Sequence, residues 1–464
     1  MATKGNTLVD FGRRSFLKIG AGVAGVTLLA QNKLFGSTQS AELDKAYTWL
    51  DNKCFDMVAG AKFFSKSWDS WFYYPLSGGA MYPSFYLRDF VYMFESAPDF
   101  FAAREVRHIL DLLISKQRAD GWIAERLMSD GTVMYCCHGC ENGDVLDSNP
   151  FFVKLAHAYA QASGDEKFIA DNLDKLWKSL TSLPQEADTG LMWVDPKKPH
   201  TAYGFTDSIA KTGRELFCSL LTFEALGIVN KWAVKLDRKD IATPSEAWRK
   251  KIQQNLALLK TPEGMYYAGS VDCHQIDIWG SIYACFIDAI STEERAAVYK
   301  WLMANQDKFL QTNHIRHLPA PEYWQKVIIP VAPGEFQNGP YWSTPSGWYA
   351  ELLERQDPGS GVQFMIDLVG VFQKIGVFEC IDAPRKYFRG EGNLSSAVLP
   401  YASLKRLRAS TVGLASGSVA LSGTPRVRTI RKQLFQWGNN SGNIQDARVF
   451  DAKGCRMPEP RLNN

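Results

Sequence analysis

Paired helical periodicity constrains what this chain can fold into more than any other feature. Apolar residues recur at α-helical spacing over roughly 42–62, 99–117, 149–163, 166–182, 208–228, 245–259, 276–290, 292–309, 345–355 and 360–376, and strand signals are few. Caps support several of these segments. Asn149-Pro150 opens one helix with Phe152, Leu155, Ala156 and Tyr159 on a single face, and Ser291-Thr292-Glu293-Glu294 opens another with a capping hydroxyl and acids in its first turn. One helix of each pair follows a loop containing Trp, Tyr, Gly, Asp or Asn; the next is a plainer amphipathic helix that returns. The loop-bearing helices start near Arg88, Asn149, Asp207, Ile276 and Thr344. This alternation predicts an all-α, (α/α)6 toroid of helical hairpins, whose inner helices point the same way and collect their preceding loops at one mouth. The competing arrangement is an α-solenoid, which calls for a sharp fixed-length repeat that is not seen here.

The two ends differ from this middle. Gly12-Arg13-Arg14-Ser15-Phe16-Leu17-Lys18 is a twin-arginine pattern, followed by an apolar run from Ile19 to Ala30 that is too short to span a bilayer comfortably. The expectation is a Tat signal peptide and linker over 1–41, cut between Ala30 and Ala41, and a bacterial protein delivered folded by the Tat export machinery to the periplasm or beyond. An uncleaved anchor or a chance Arg-Arg pair is the alternative. No later apolar run is long enough for a membrane span, and a net charge of +3 gives no reason to expect a nucleic-acid partner. Residues 42–390 are then assigned to the toroid. Residues 391–464, rich in Ser and Gly and basic at Lys405, Arg406, Arg408, Arg426, Arg428, Arg431 and Lys432, read as a loose appendage or small cap.

Four loops carry the chemistry. In Gly334–Trp348, one carboxylate (Glu335) sits among the amides of Gln337 and Asn338, the hydroxyls of Ser343, Thr344 and Ser346, and the rings of Tyr341, Trp342 and Trp348. Flat aromatic faces stack on sugar C–H surfaces, and amides and acids hydrogen-bond hydroxyls, so this loop suits a polyhydroxylated ligand. Cleaving a glycosidic bond needs a second carboxyl with a different job. Acids beside aromatics or helix starts recur in Tyr86-Leu87-Arg88-Asp89-Phe90, in the segment from Asp144 to Pro150, and in Tyr203-Gly204-Phe205-Thr206-Asp207-Ser208. Arg88-Asp89 reads either as a binder of sugar hydroxyls or as a buried ion pair. For Asp147, helix capping is the stronger reading. Trp71, Trp122, Trp342 and Trp348 are candidates for stacking, with core packing as the alternative.

There are nine cysteines, an odd number at irregular spacing, so this is not a disulfide scaffold. Cys218 and Cys285 fall on apolar helix faces and read as small core residues. In Cys136-Cys137-His138-Gly139-Cys140 the C-x-x-C spacing fits a metal site, a disulfide or an ordinary active-site loop; a structural zinc would need four ligands, and no second C-x-x-C exists. His138 is a candidate for lining a sugar site. With no phosphate-binding loop, dinucleotide glycine pattern or H-E-x-x-H motif, no cofactor or metal is expected.

Taken together over roughly 60–385, these motifs resemble the six-hairpin glycosidase superfamily, which includes glucoamylases, trehalases and processing α-glucosidases. The resemblance rests on Arg88-Asp89 after an aromatic loop, the acid-Ser-x-Pro start at Asp147-Ser148-Asn149-Pro150, and Ala158-Tyr159 with Ser163-Gly164-Asp165. It also rests on the loop ending in Asp207-Ser208 and on Gln337-Asn338-Gly339-Pro340-Tyr341-Trp342. It implies hydrolysis of glycosidic bonds in a carbohydrate substrate, mostly with inversion, by a general acid from a mid-chain loop and a general base from a late one. By position, Asp207 matches the acid and Glu335 the base. Arg88, Asp89, Trp122, His138, Asp147, Gln337, Asn338, Tyr341, Trp342 and Trp348 are then the candidates for holding sugar. A carboxyl at a helix N-terminus is held ionised, whereas a working acid must keep its proton. Asp207 therefore needs desolvation by neighbours such as Tyr203 and Phe205, or a nearby carboxylate; otherwise it merely caps a helix at Ser208. Two other functions fit a toroid: a polysaccharide lyase, which favours a strongly basic groove, and a non-catalytic carbohydrate-binding protein.

Overall fold

A computed structural model describes residues 24–79, 81–137 and 143–416. The twin-arginine pattern, His138, Cys140 and the tail beyond 416 lie outside the described residues. The helices are α1 (Ala24–Ala61), α2 (Leu87–Ser96), α3 (Ala103–Ser115), α4 (Ser148–Ser163), α5 (Glu166–Thr181), α6 (Leu216–Lys235) and α7 (Lys239–Asn255). They continue with α8 (Ile278–Phe286), α9 (Thr292–Ala304), the short α10 (Gln306–Phe309), α11 (Ser346–Gln356), α12 (Ser360–Ile375) and α13 (Ser395–Ser416).

Six of these helices close a ring. Packing runs from α2 to α4, α6, α8, α11 and α13, and α13 returns to α2. The others wrap the outside: α3 on α4, α5 across α4 and α6, α7 on α6, α9 on α8 and α11, α12 on α11 and α13, and α1 on α12 and α13. The (α/α)6 toroid expected from the alternation of helices is therefore the observed fold, and a ring that closes on itself is not an open solenoid.

The sequence explains which helices lie inside. An inner helix faces the lumen on one side and the outer layer on the other, so it is apolar all round rather than striped. α6 is such a helix: it buries Leu216, Phe217, Leu220, Leu221, Phe223, Leu226 and Val229. It is long and apolar enough to cross a membrane by composition alone, yet 67% of its apolar window is buried in the ring. Outer helices keep one apolar stripe, as in α5, which buries Phe168, Ile169, Leu173, Leu176 and Leu180. Their ends follow capping chemistry. Asp165 accepts a bond from Phe168 N, and Ser291 with Glu294 forms a reciprocal capping box at the start of α9.

Three boundaries differ from those expected. α6 begins at Leu216, not near Ser208, and Glu215 caps it by accepting from Cys218 N. α2 starts at Leu87, where a loop-bearing helix is expected near Arg88. α13 occupies part of the stretch 391–464 and supplies the sixth inner helix, so the toroid runs past the boundary set at 390. α13 packs tightly on α11: a Cβ on Gly347 would come within 2.6 Å of Ser403 Oγ and 2.9 Å of Leu399 O. α1 in turn starts at Ala24, inside the segment 1–41 assigned to the leader and linker.

Short antiparallel strands precede four inner helices. Ser84–Tyr86 leads into α2, Gly213–Glu215 into α6, Tyr341–Trp342 towards α11, and Tyr387–Glu391 towards α13. Ser84–Tyr86 pairs with Arg126–Met128, and Tyr387–Glu391 pairs with Phe378–Asp382.

Candidate active site

The loops and strands that lead into the inner helices enclose a cavity with about 600 Å³ of empty space. Arg88, Asp89, Asp207 and Gln337 line it, together with Tyr82, Tyr86, Arg126, Cys137, Gly204, Phe205, Phe336, Glu379 and Arg389.

Arg88 organises one wall. α2 starts directly from the strand Ser84–Tyr86, which fixes Arg88 and Asp89 in its first turn. The pairing Tyr86↔Arg126 and the bond from Leu87 N to Glu125 O bring the neighbouring strand alongside. Arg88 is 5% exposed. It reaches Asp147 Oδ2 at 3.0 Å, and Asp89 Oδ2 and Glu125 Oε1 at 3.7 Å each. Its guanidinium packs on Phe205 and directly against Gly204, where any Cβ would overlap it, so glycine is required at 204. Arg88-Asp89 is therefore both a buried ion pair and part of the cavity wall. Asp147, fully buried at the N-cap of α4, makes no side-chain cap bond. It accepts instead from Arg88 and from Gly204 N at 2.8 Å, which corrects the capping reading. It does not line the cavity.

Asp207 and Gln337 form the second wall. Asp207 ends the 3-10 turn Gly204–Thr206 and is half-buried. With α6 starting at Leu216, Asp207 does not cap that helix, and the conflict between a helix dipole and a protonated acid does not arise. Gln337 Nε2 donates to Asp207 Oδ1 at 2.6 Å, while Gln337 Oε1 accepts from Ser208 N at 2.9 Å. The amide thus clamps the Asp207 loop from both sides. Phe336, at φ +44°, holds a left-handed conformation that is rare for a bulky side chain. Its ring lies 4.3 Å from the Arg389 guanidinium and 5.7 Å from the Trp342 ring.

The third wall is the strand hairpin before α13. Glu379, 3% exposed, lies in the strand Phe378–Asp382 and lines the cavity. Arg389 Nε donates to it at 3.1 Å, and Tyr82 OH donates to its two oxygens at 2.9 and 3.1 Å. Burial pushes Glu379 up to about 7 against the pull of Arg389, and the charges of Asp89 and Asp207 add to the rise. Burial likewise pushes Glu125 up to about 7 and Asp89 up to about 6, although Arg88 opposes both. Glu379 and Asp89 line the cavity with Glu125 behind them, and carboxyls with raised pKa values around one cleft mark a candidate site for proton-transfer chemistry.

Several candidates for the site lie elsewhere. Glu335 is exposed, in a tight turn closed by Asn338 N donating to Glu335 O at 2.8 Å, and does not line the cavity. Asn338 is spent on the loop itself, accepting from Trp324 N and donating to Val331 O. Tyr341 is half-buried in its strand, Trp342 is a core residue behind Phe205 and Phe336, and Trp348 is buried in α11. Trp122 is half-buried against the core, and Trp71 is exposed on the hairpin Lys62–Ser65/Ser70–Tyr73. None of these residues lines the cavity. His138 lies outside the described residues. Cys136 is disulfide-bonded, whereas Cys137 is a thiol that donates to Glu125 Oε1 at 3.6 Å. Cys218 and Cys285 are buried thiols, as their helix faces imply.

Glu379, Arg389, Arg126 and Tyr82 escaped the reading of the sequence. The available signal for Glu379 and Arg389 was a short strand pair, Phe378–Asp382 and Tyr387–Glu391, carrying an acid and a base one register step apart, with Arg389 opposite Cys380.

No protein family model matches the chain, and no curated protein matches it. Solved structures do. The GH63 mannosylglycerate hydrolase from Thermus thermophilus, in complex with Tris and D-glycerate, is 14% identical with a TM-score of 0.58, over 76% of this chain and 99% of that one. A metal-independent α-mannosidase from Streptococcus pneumoniae, in complex with α-1,6-mannobiose, is 12% identical with a TM-score of 0.55, over 81% and 97%. A rhamnosidase from Klebsiella oxytoca with rhamnose bound is 15% identical with a TM-score of 0.54, over 73% of this chain and 60% of that one. At this identity the likeness establishes the α/α toroid fold.

Proposed function

We propose that the chain is an exported glycoside hydrolase that inverts configuration, with Asp207 as general acid and Glu379 as general base. The observation that carries this reading is one cavity in which two carboxyls, one from a loop and one from a strand, are held by different partners, Asp207 by Gln337 and Glu379 by Arg389 and Tyr82. The glycosidase chemistry of the toroids described above supports it. Asp207 donates its proton to the glycosidic oxygen as the C1–O bond breaks. Glu379 takes a proton from the water whose oxygen bonds to C1 on the opposite face, and both carboxyls return to their starting states through solvent. A base pushed up to about 7 is a stronger proton acceptor than an ordinary glutamate and is poised near neutral pH. Asp89 accepts bonds from sugar hydroxyls, with Arg88 fixing its orientation. This pairing moves the role of base from Glu335 to Glu379.

Charge favours hydrolysis over lyase chemistry. The guanidiniums of Arg88, Arg126 and Arg389 face Asp89, Asp207 and Glu379 across the lining, with Glu125 and Asp147 behind, so among the described residues no cationic surplus awaits a uronate.

A panel of aryl glycosides and oligosaccharides identifies the substrate, and leaving-group dependence then tests the roles. Asp207→Asn should lose about 100-fold on sugar leaving groups and far less on an activated dinitrophenyl glycoside, which departs without a proton. Glu379→Gln should lose on both. Equal losses for Asp207→Asn on both substrates would remove the acid assignment. NMR of the first-formed anomer tests inversion, for which a carboxyl separation of roughly 6.5–9.5 Å is expected. Export by the Tat route rests on Arg13-Arg14. Cell fractionation of an Arg13→Lys/Arg14→Lys variant should show the protein retained in the cytoplasm, and unchanged export would contradict it.

A further inference from the structure

A second cavity, with about 1060 Å³ of space running out to solvent, lies at the other end of the inner helices and has no part in the proposed chemistry. All six inner helices contribute to its wall. An aromatic plug separates it from the front cavity: Tyr92 and Trp348 face the rear cavity, Phe205 faces the front one, and the Tyr92 and Phe205 rings stack at 5.9 Å.

The rear cavity is polar on one side and aromatic on the other. Lys154 lies 2.6 Å from Glu224 Oε2 and 3.5 Å from Glu95 Oε2, and donates to Tyr283 OH at 3.3 Å. Each carboxylate thus commits one oxygen to the ammonium, and among the described residues neither second oxygen has a hydrogen-bond donor. His157 Nδ1 accepts from Trp232 Nε1 at 3.1 Å, which puts the proton of a neutral ring on Nε2 as a donor. Ser96 Oγ is buried in the wall with no partner among the described residues. Phe286, Tyr283 and Trp348 supply flat apolar surface.

We infer that this rear cavity is a second saccharide-binding site, for a neutral mono- or disaccharide held apart from the bond being cleaved. Charge sets the class. Glu95 and Glu224 are matched by Lys154 and Arg406 across the lining, so neither an anion nor a metal cation finds an uncompensated partner. What remains unmatched is hydrogen-bonding capacity: spare carboxylate oxygens, one hydroxyl and one imidazole N–H, beside aromatic faces. A sugar offers hydroxyls to the first and C–H surface to the second. Both carboxylates give an oxygen to one ammonium, so no pair of independently held acids faces a bound sugar here, and the role assigned to this site is binding.

The test is direct binding, measured by isothermal titration calorimetry with glucose, mannose and maltose as probes on Glu379→Gln, where nothing is consumed. The expected result is a binding event that persists in Asp89→Asn and is lost in Ala158→Trp, which fills the rear cavity while leaving the Lys154 pair in place. Glu224→Gln should weaken that event about tenfold, the size of a lost charged hydrogen bond. Hydrolysis of a small aryl glycoside should stay within about twofold in Ala158→Trp, since no front-cavity residue changes. If none of the three sugars gives a binding event sensitive to Ala158→Trp, the inference is overturned. Because calorimetry needs no turnover, this outcome stands apart from success or failure of the hydrolase reading.

Discussion

Two cavities in one ring hold their acids in opposite ways. In the rear cavity Glu95 and Glu224 converge on a single cation, Lys154. In the front cavity Asp207 comes from a loop and Glu379 from a strand, and they answer to separate partners, Gln337 on one side and Arg389 with Tyr82 on the other. Glu95 and Glu224 are engaged in one ion-pair cluster, each giving an oxygen to the same ammonium. Carboxyls held independently around an open space can give and take different protons of one reaction. Number of acids is therefore a poorer guide to chemistry than how many supports they share.

The comparison can be broken most severely at the cations. Arg88 is 5% exposed and faces Asp147 and Glu125, whose side chains are 1% and 2% exposed. Arg88→Met should cost about 3–5 kcal/mol in denaturant unfolding, because it strands buried carboxylates without a partner. Lys154→Met should cost less, about 1–2 kcal/mol, because Glu95 and Glu224 are 27% and 30% exposed and water can solvate them. An equal cost at both sites would show that the two clusters are not differently built.

Protons sharpen it next. Folded values of about 6 for Asp89 and about 7 for Glu125 and Glu379 lie above the ordinary carboxyl range near 4. The folded state then keeps protons that the unfolded chain releases, so these groups stabilise fully below about pH 4 and lose that contribution as pH rises towards 7. Tm should be lower at pH 8 than at pH 5, and the gap should shrink in Glu125→Gln. A gap unchanged in that variant would remove Glu125 from the account. The smallest effect is expected from Arg389→Met. Arg389 lowers the Glu379 value, so its removal should move the acid limb of the kcat/KM profile to higher pH. A limb that stays in place would mean that Glu379 does not set it.

Much of this was legible in the sequence, for physical reasons that also explain the gaps. Outer helices such as α5 and α9 announce themselves by one apolar stripe and a capping residue. Asp207 and Gln337 sit in loops, and Arg88 and Asp89 in a helix's first turn, beside Gly, aromatic or amide residues that mark them. α13 hides because an inner helix has no polar face to set a period, and Ser395, Ser396 and Pro400 imitate a loop. Glu379 hides for a related reason: in Phe378–Asp382 it is one acid among apolar strand residues, and its partner Arg389 comes from the returning strand. Glu335 attracted the role of base by its neighbours, yet those neighbours turn inward while Glu335 stays outside. A loop's composition reports that it is near a site, not which of its side chains enters.

The central claim is that Glu379, and not Glu335, is the base. The most direct measurement is kcat for Glu379→Gln and Glu335→Gln side by side on the same hydrolysed glycoside, with circular dichroism to establish that both fold. The predicted result is a loss of about 10³-fold or more for Glu379→Gln and a change within about twofold for Glu335→Gln. A large loss in Glu335→Gln, with Glu379→Gln near normal, would contradict it.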